Sequence, residues 1–348
     1  MELTPRQAKI IDIVLSDAPC GISHIHQQLN TTVSIPTLNR DMAQLVATHF
    51  LLKEGKGRAT QYRIASAYQL FAPIADNDAY FDTDPDRRSA QEGFNYDIFT
   101  LLGAVDLLTP TEANALEALR QEYQHNITDF PPDLYKKELE RLSIELSWKS
   151  SQIEGNTYSL LETERLFREK LPAKGKPKED AVMLLNHKDA LQYLLEHKNL
   201  AETLTLRTLE EVHSILIKDL GVGRNIRTRG VGVTGTAYKP LDNAHQIREN
   251  LQFMCELINA KPNGFEKALL AITLISYIQP FEDGNKRTGR MVGNALLIAH
   301  EACPLSYRSV DSLEYKKAML LFYEQNNLLA FKELFIEQNR FGVKNYFR

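Results

Sequence analysis

Two apolar runs, residues 268–278 and 291–298, bracket the segment Gln279-Pro-Phe-Glu-Asp-Gly-Asn-Lys-Arg-Thr-Gly-Arg290. This reads as a helix–loop–helix with no strand in it. The loop concentrates Asp283, Gly284, Asn285, Lys286, Arg287 and Arg290. Gly284 lets the backbone approach a ligand closely. The amides that open the second helix are unpaired and carry the positive end of its dipole, which makes the turn an anion site. Arg287 and Arg290, one helical turn apart, add bidentate phosphate donors. Asp283 beside them suits Mg²⁺, which takes a carboxylate together with phosphate oxygens. The segment therefore predicts a site for nucleotide phosphates with magnesium. It is not a Walker loop, because the G-x-x-x-x-G-K-[ST] spacing is absent.

The same segment resembles the signature of Fic domains, H-P-F-x-[DE]-G-N-[GK]-R-x-x-R. Phe281, Asp283, Gly284, Asn285, Arg287 and Arg290 match it. The resemblance implies transfer of AMP from ATP to a protein hydroxyl. It assigns Mg²⁺ to Asp283, the inner phosphates to Asn285 and the Gly284–Lys286 amides, and the outer phosphates to Arg287 and Arg290. Two positions depart. Gln279 stands where the family has a histidine base, and an amide does not titrate; on this reading Gln279 orients the hydroxyl without deprotonating it. Lys286 stands where most members have glycine; the kinase-like Doc branch also has Lys there, but keeps its histidine and lacks an equivalent of Arg290.

The resemblance covers about residues 135–340. Ser150-Ser-Gln-Ile-Glu-Gly155 is similar to the family's inhibitory motif, [ST]-x-x-x-E-[GN], at Ser150, Glu154 and Gly155. In that scheme Glu154 pairs with Arg290, and a guanidinium clamped by a carboxylate cannot also hold the γ-phosphate. Residues 227–240, rich in glycine and β-branched residues, read as an irregular hairpin. They resemble the family's flap, which implies that Val233, Thr234 and Gly235 offer backbone groups to a target peptide and that Tyr238 touches the base. His187, His213 and His245 form no metal-ligand cluster and read as structural.

Residues 1–65 read as helix, short helix, helix and Gly-tipped hairpin, which resembles a winged helix–turn–helix. Its candidate DNA contacts are Thr37, Asn39, Arg40 and Gln44 on the third helix, with Lys56 and Arg58 on the wing. Seven Lys/Arg against five Asp/Glu in these residues is weakly basic for such a role. The stretch 66–110 is acidic and turn-rich at 75–86 and reads as a linker that docks back through Phe94, Tyr96, Ile98 and Phe99. Residues 111–348 read as a helical bundle, with the inhibitory helix near 135–156 and the signature loop at 279–290. The expected fold is thus mainly α: a Fic-type bundle with a β-hairpin flap behind a small winged-helix unit.

The net charge of −4 gives no global attraction to nucleic acid or anionic membrane. Three separated cysteines argue for a reducing compartment. No apolar run reaches the ~18 residues of a spanning helix, and no signal-peptide pattern is present, so the expectation is cytoplasmic. The leading expectation is an autoinhibited adenylyltransferase using Mg²⁺ and ATP on a protein target. The alternative is a nucleotide-sensing regulator without transferase activity, acting on DNA or a partner through the winged helix, and plausibly a homodimer.

Overall fold

The computed structural model describes residues 3–29, 33–74, 77–88, 90–91 and 93–348; the side chains of Arg58 and Asn77 lie outside the description. The chain is mainly helical, as expected. Helix α1 (Pro5–Asp17) starts at Thr4, whose hydroxyl and the Gln7 side chain form a reciprocal capping box. Helices α2 (Ile22–Gln28) and α3 (Ile35–Ala47) follow, and then strands β1 (Leu51–Glu54) and β2 (Gln61–Ile64). The strands pair antiparallel with Leu51 opposite Ile64, and Cys20 adds a bridge to Tyr62. Ile10, Ile11, Val14, Leu38, Met42 and Leu45 form a core separate from that of the body. These elements fall in the helix–helix–helix–hairpin order expected of residues 1–65.

Residues 66–110 are not a free linker. Helix α4 (Asn77–Asp82) and helix α5 (Ile98–Gly103) lie in them. Phe94 stacks on Tyr277 with ring centroids 4.9 Å apart. The amide of Asn95 donates to the Tyr277 hydroxyl at 2.8 Å. The body comprises α6 (Pro110–Thr128), α7 (Pro132–Ile153), α8 (Leu160–Glu169), α9 (Lys178–Glu196), α10 (Leu206–Leu216), α11 (Ala244–Ala260), α12 (Gly264–Ile278), α13 (Asn285–Ala299), α14 (Ser312–Gln325) and α15 (Leu329–Asn345). Every residue of α12 except Lys267 is buried, so it is the axis of the bundle.

Helices α12 and α13 pack closest of all, because α13 presents glycine to α12. A methyl group at Gly289 would stand 2.9 Å from the Ile272 carbonyl oxygen, and one at Gly293 2.5 Å from Ile272 Cγ1. The hairpin expected at 227–240 does not form. No strand forms there; Lys239 makes a parallel bridge to Gly93, and the Arg227 amide donates to Pro280 O at 3.0 Å. One carbonyl of the stretch is taken by a side chain: the Arg227 guanidinium donates to Arg229 O at 2.7 Å, and also to Leu241 O just beyond it. Among the described residues, no helix is long and apolar enough to cross a membrane.

Candidate functional site

The site is built at the turn between α12 and α13. Gln279 ends α12 in the left-handed region at φ 51°, and Gly284 opens α13 at φ 80°. Only a residue without Cβ enters that second bend freely; a methyl group there would come within 3.2 Å of Ile217. Asn285 locks the turn from inside. Its Oδ1 accepts from the Phe281 amide at 2.8 Å, and its Nδ2 donates to Phe281 O and to Gln279 Oε1, both at 2.9 Å. His213 lies flat on Phe281, ring centroids 3.6 Å apart, and donates from Nε2 to Asp283 O at 3.0 Å. Burial drives the His213 pKa down to about 4, so this ring is a neutral prop for the loop.

Asp283, with a side chain 64% exposed, accepts from Arg287 Nη2 at 2.9 Å. Arg287 is itself buried, and its Nη1 has no hydrogen-bond partner among the described residues. A buried guanidinium N–H without a partner is costly, and an anion bound in the adjoining cleft would offset that cost. That cleft holds about 170 Å³ and is lined by Glu154, Thr234, Gln279, Asp283, Lys286 and Arg287, among others. One exposed carboxylate beside cationic donors fits an ion such as Mg²⁺ that arrives with phosphate and water ligands of its own. No group of three or more His, Cys, Asp or Glu suited to a metal occurs among the described residues, so the site offers no all-protein cage.

Arg290 lies behind this cleft, 1% exposed; the end of α7 takes its hydrogen bonds, and the Tyr315 ring of α14 lies 5.2 Å from its guanidinium. Its Nε donates to Ser150 Oγ at 2.8 Å, and its Nη2 donates to Ser150 O and to Glu154 Oε1, both at 2.9 Å. Lys286 Nζ stands 3.4 Å from Glu154 Oε2. Burial pushes the Glu154 carboxyl up, but Arg290 and Lys286 more than offset this and hold it below the usual carboxylate range. Gly155, at φ 98°, turns the chain out of α7 and leaves Glu154 at the helix tip. His187 supports the arrangement. Its Nδ1 donates to Met183 O at 2.9 Å, so Nε2 is the acceptor for the Ser150 hydroxyl at 3.0 Å. Ser150 Oγ is thereby turned to receive Arg290.

Two expectations are corrected. Gln279 is not free to orient a hydroxyl: its Nε2 donates to Ser276 O at 2.6 Å while its Oε1 is held by Asn285. Tyr238 does not face the cleft beside Arg287. It is 2% exposed, stacks between Tyr277 and Tyr323, and donates its hydroxyl to Tyr277 O at 2.9 Å. Val233 and Thr234 do line the cleft, and Gly235 lines the larger pocket beside it. Arg227 is a site residue that the sequence did not single out. Buried, it pins the carbonyl of Gln279 with Nε at 2.6 Å while also holding the flap, so it couples loop to flap. Its only signal in sequence is its place, with Arg229, at the opening of a glycine-rich stretch.

The candidate DNA residues are split. Asn39 and Arg40 are exposed on α3, and Lys56 is exposed at the β1–β2 turn. Thr37 pairs with the cap Ser34 at 2.8 Å, and Gln44 accepts from Gln7 at 3.0 Å. The side chain of Arg58 lies outside the described residues.

Residues 203–297 match the model of the Fic/DOC family. The chain carries a Fic/DOC domain. The protein adenylyltransferase Fic of Nematostella vectensis is 28% identical over 174 residues, which cover 48% of this chain and 40% of that relative. The chain thus matches less than half the length of that curated relative. Among solved structures, Fic-1 of C. elegans superposes with a TM-score of 0.58 at 17% identity, covering 72% of this chain and 80% of that one. A Fic domain containing signaling protein from Bacteroides thetaiotaomicron gives 0.55 at 18% identity, covering 66% and 96%. Identities this low establish a shared fold. The Fic/DOC match includes α10, the flap, α11, α12 and most of α13, so it contains the loop but neither Glu154 nor the N-terminal unit.

Proposed function

We propose that this chain is a Fic-type protein adenylyltransferase, held inhibited by Glu154, that moves AMP from Mg·ATP to a hydroxyl of a target protein. The observation that carries the reading is the Glu154–Arg290 pair. An arginine gripped by a carboxylate and by Ser150 is unavailable to the outer phosphates until α7 lets go. With Glu154 displaced, Arg287 and Arg290 hold the outer phosphates, and the Gly284–Lys286 amides and Asn285 hold the inner ones. Asp283 is the residue that would hold Mg²⁺, whose charge neutralises phosphate oxygens. Val233 and Thr234 present the target segment. The hydroxyl oxygen attacks the α-phosphorus, the bond to the bridging oxygen breaks, and pyrophosphate leaves. The hydroxyl proton passes to solvent, because Gln279 does not titrate near neutral pH.

A second reading, a nucleotide-sensing regulator acting through a winged-helix unit on DNA or a partner, is favoured by one specific observation: both ends of the Gln279 amide are committed within the loop. Intact-mass measurement after incubation with Mg·ATP separates the two. Wild type gains nothing. Glu154→Gly gains AMP slowly, and Glu154→Gly with Gln279→His gains it roughly 10²–10⁴-fold faster. Transfer only when the histidine is present supports the regulator, and no transfer in any form rejects the transferase. A gain of phosphate in place of AMP marks Doc-type chemistry.

A further inference from the structure

Beside the phosphate cleft lies a second pocket of about 580 Å³. Glu154, Val233, Thr234 and Lys286 line both spaces, so the two adjoin across the Glu154–Lys286 pair. The volume is that of a small-molecule site. Three of its walls belong to the body: Ile153 at the tip of α7, Gly235 in the flap, and Met319 and Leu320 on α14. The fourth is Phe81 and Arg88, from the segment between the N-terminal unit and the body, far upstream of the Fic/DOC match.

That segment is fastened in place. Arg88 Nη1 donates to Gly235 O at 3.0 Å, on the flap, and to Glu324 Oε1 at 3.1 Å, on α14. Both side chains of the ion pair are buried, at 6% and 0% exposure. Tyr80 donates to the other oxygen of Glu324 at 2.5 Å, and Lys317 pairs with Asp78 at 2.8 Å. The Arg88 guanidinium also lies 5.0 Å from the centroid of the Phe81 ring. Phe81 remains only partly covered on the side of the pocket. A buried carboxylate holding one arginine that reaches two elements is a built clasp, since breaking either half leaves a charge unpaired.

We propose that the strap Asn77–Arg88 is a wall of the nucleoside subsite, so that the purine ribonucleoside end of ATP closes on Phe81 while its phosphates occupy the cleft at Arg287. This rests on the nucleotide reading above. The occupant follows from adjacency: with Glu154 displaced, a ligand whose anionic end lies at Asp283 and Arg287 extends past that position into the larger, mainly apolar space. The consequence is that nucleotide occupancy fixes the strap against the flap and α14.

The test is calorimetric binding to the Glu154→Gly protein, with Mg·ATP and Mg·tripolyphosphate as the two probes. Phe81→Ala in that background is expected to weaken ATP about tenfold, the scale of a lost apolar contact in a pocket, and to leave tripolyphosphate unchanged. Hydrogen exchange on the parent is expected to show slower exchange across residues 77–88 when ATP is added and no change with tripolyphosphate. The same ATP affinity in Phe81→Ala, or an equal loss for both probes, overturns the strap as a nucleoside wall. If the strap variant melts early, the exchange measurement on the parent decides alone, and unprotected residues 77–88 overturn it. If the parent binds tripolyphosphate but not ATP, the subsite is wrong while the phosphate site stands. If the parent binds neither, the nucleotide reading falls and takes this proposal with it.

Discussion

At the scale of single residues, Glu154 is gripped by two cations, and the second, Lys286, comes from one of the positions that depart from the signature. Lys286 therefore has opposite roles in the two states. With Glu154 present it is paired with that carboxylate; without it, on the proposed nucleotide reading, it is a free cation beside the phosphates. Lys286→Ala is expected to tighten Mg·ATP about threefold in the wild-type background, the worth of a partly exposed ion pair, and to weaken it in Glu154→Gly. Equilibrium binding to the four proteins decides, and a change of the same sign in both backgrounds sinks the idea. His187 gives a second prediction. Burial, aided by Arg287, drives its pKa to about 3, although the nearby Glu154 pulls the other way. The folded state thus keeps it neutral while the unfolded chain takes a proton near pH 6.5. Stability is fully present above that value and falls as the pH drops from it toward 3, by roughly 2 kcal/mol at pH 5. Melting curves of His187→Gln are expected to show a shallower decline from pH 7 to 5 than wild type; parallel declines would remove His187 as the cause. The Glu154–Arg290 pairing was legible in sequence because motif and signature each fix one partner. The tying of Gln279 was not, since it depends on a left-handed backbone and on an Asn285 rotamer. Nor was the burial of Tyr238, because a tyrosine in a glycine-rich stretch carries no periodicity to say which way its ring turns.

At the scale of elements, the α12–α13 pair shows a conflict between local and tertiary preference. Alanine in place of a helical glycine gains about 1 kcal/mol of helix propensity. At Gly289 the added methyl would meet the Ile272 carbonyl oxygen at 2.9 Å, which belongs to a rigid backbone, and overpacking of this kind costs about 1–3 kcal/mol. Gly289→Ala is therefore expected to lower the melting temperature, and more than Gly293→Ala, where the nearest atoms are the movable side chain of Ile272. A Gly289→Ala protein as stable as wild type would refute the close-packing argument. Most helices were legible from apolar spacing. Helix α8 was not, because its surface is charged at Glu162, Glu164, Arg165 and Arg168; its signal is the capping box of Ser159 and Glu162. The flap was read as a hairpin from its β-branched and glycine content. It is not one: Arg227 takes the carbonyl of Arg229, Arg88 takes that of Gly235, and no second strand pairs with it.

At the scale of the whole molecule, the N-terminal unit meets the body where α14 passes into α15. Leu328 donates to Leu70 O at 2.7 Å, and the Asn327 side chain donates to Gln69 O at 3.0 Å and Ala72 O at 2.7 Å. Phe71 packs against both cores. The separation into two cores was legible from the change in pattern near residue 65, whereas the strap was not: acidic, turn-rich composition says exposed loop, and only the fold shows Glu324 waiting to bind Arg88. The burial of Arg290 has one more consequence. A guanidinium this deep, with a single carboxylate for a counterion, makes Glu154 part of what holds the protein together. On the proposed inhibition, any lesion that releases the site by removing Glu154 also leaves a chain that unfolds more often, and cells clear such chains faster. A permanently released form would thus be kept scarce by the same contact whose loss released it.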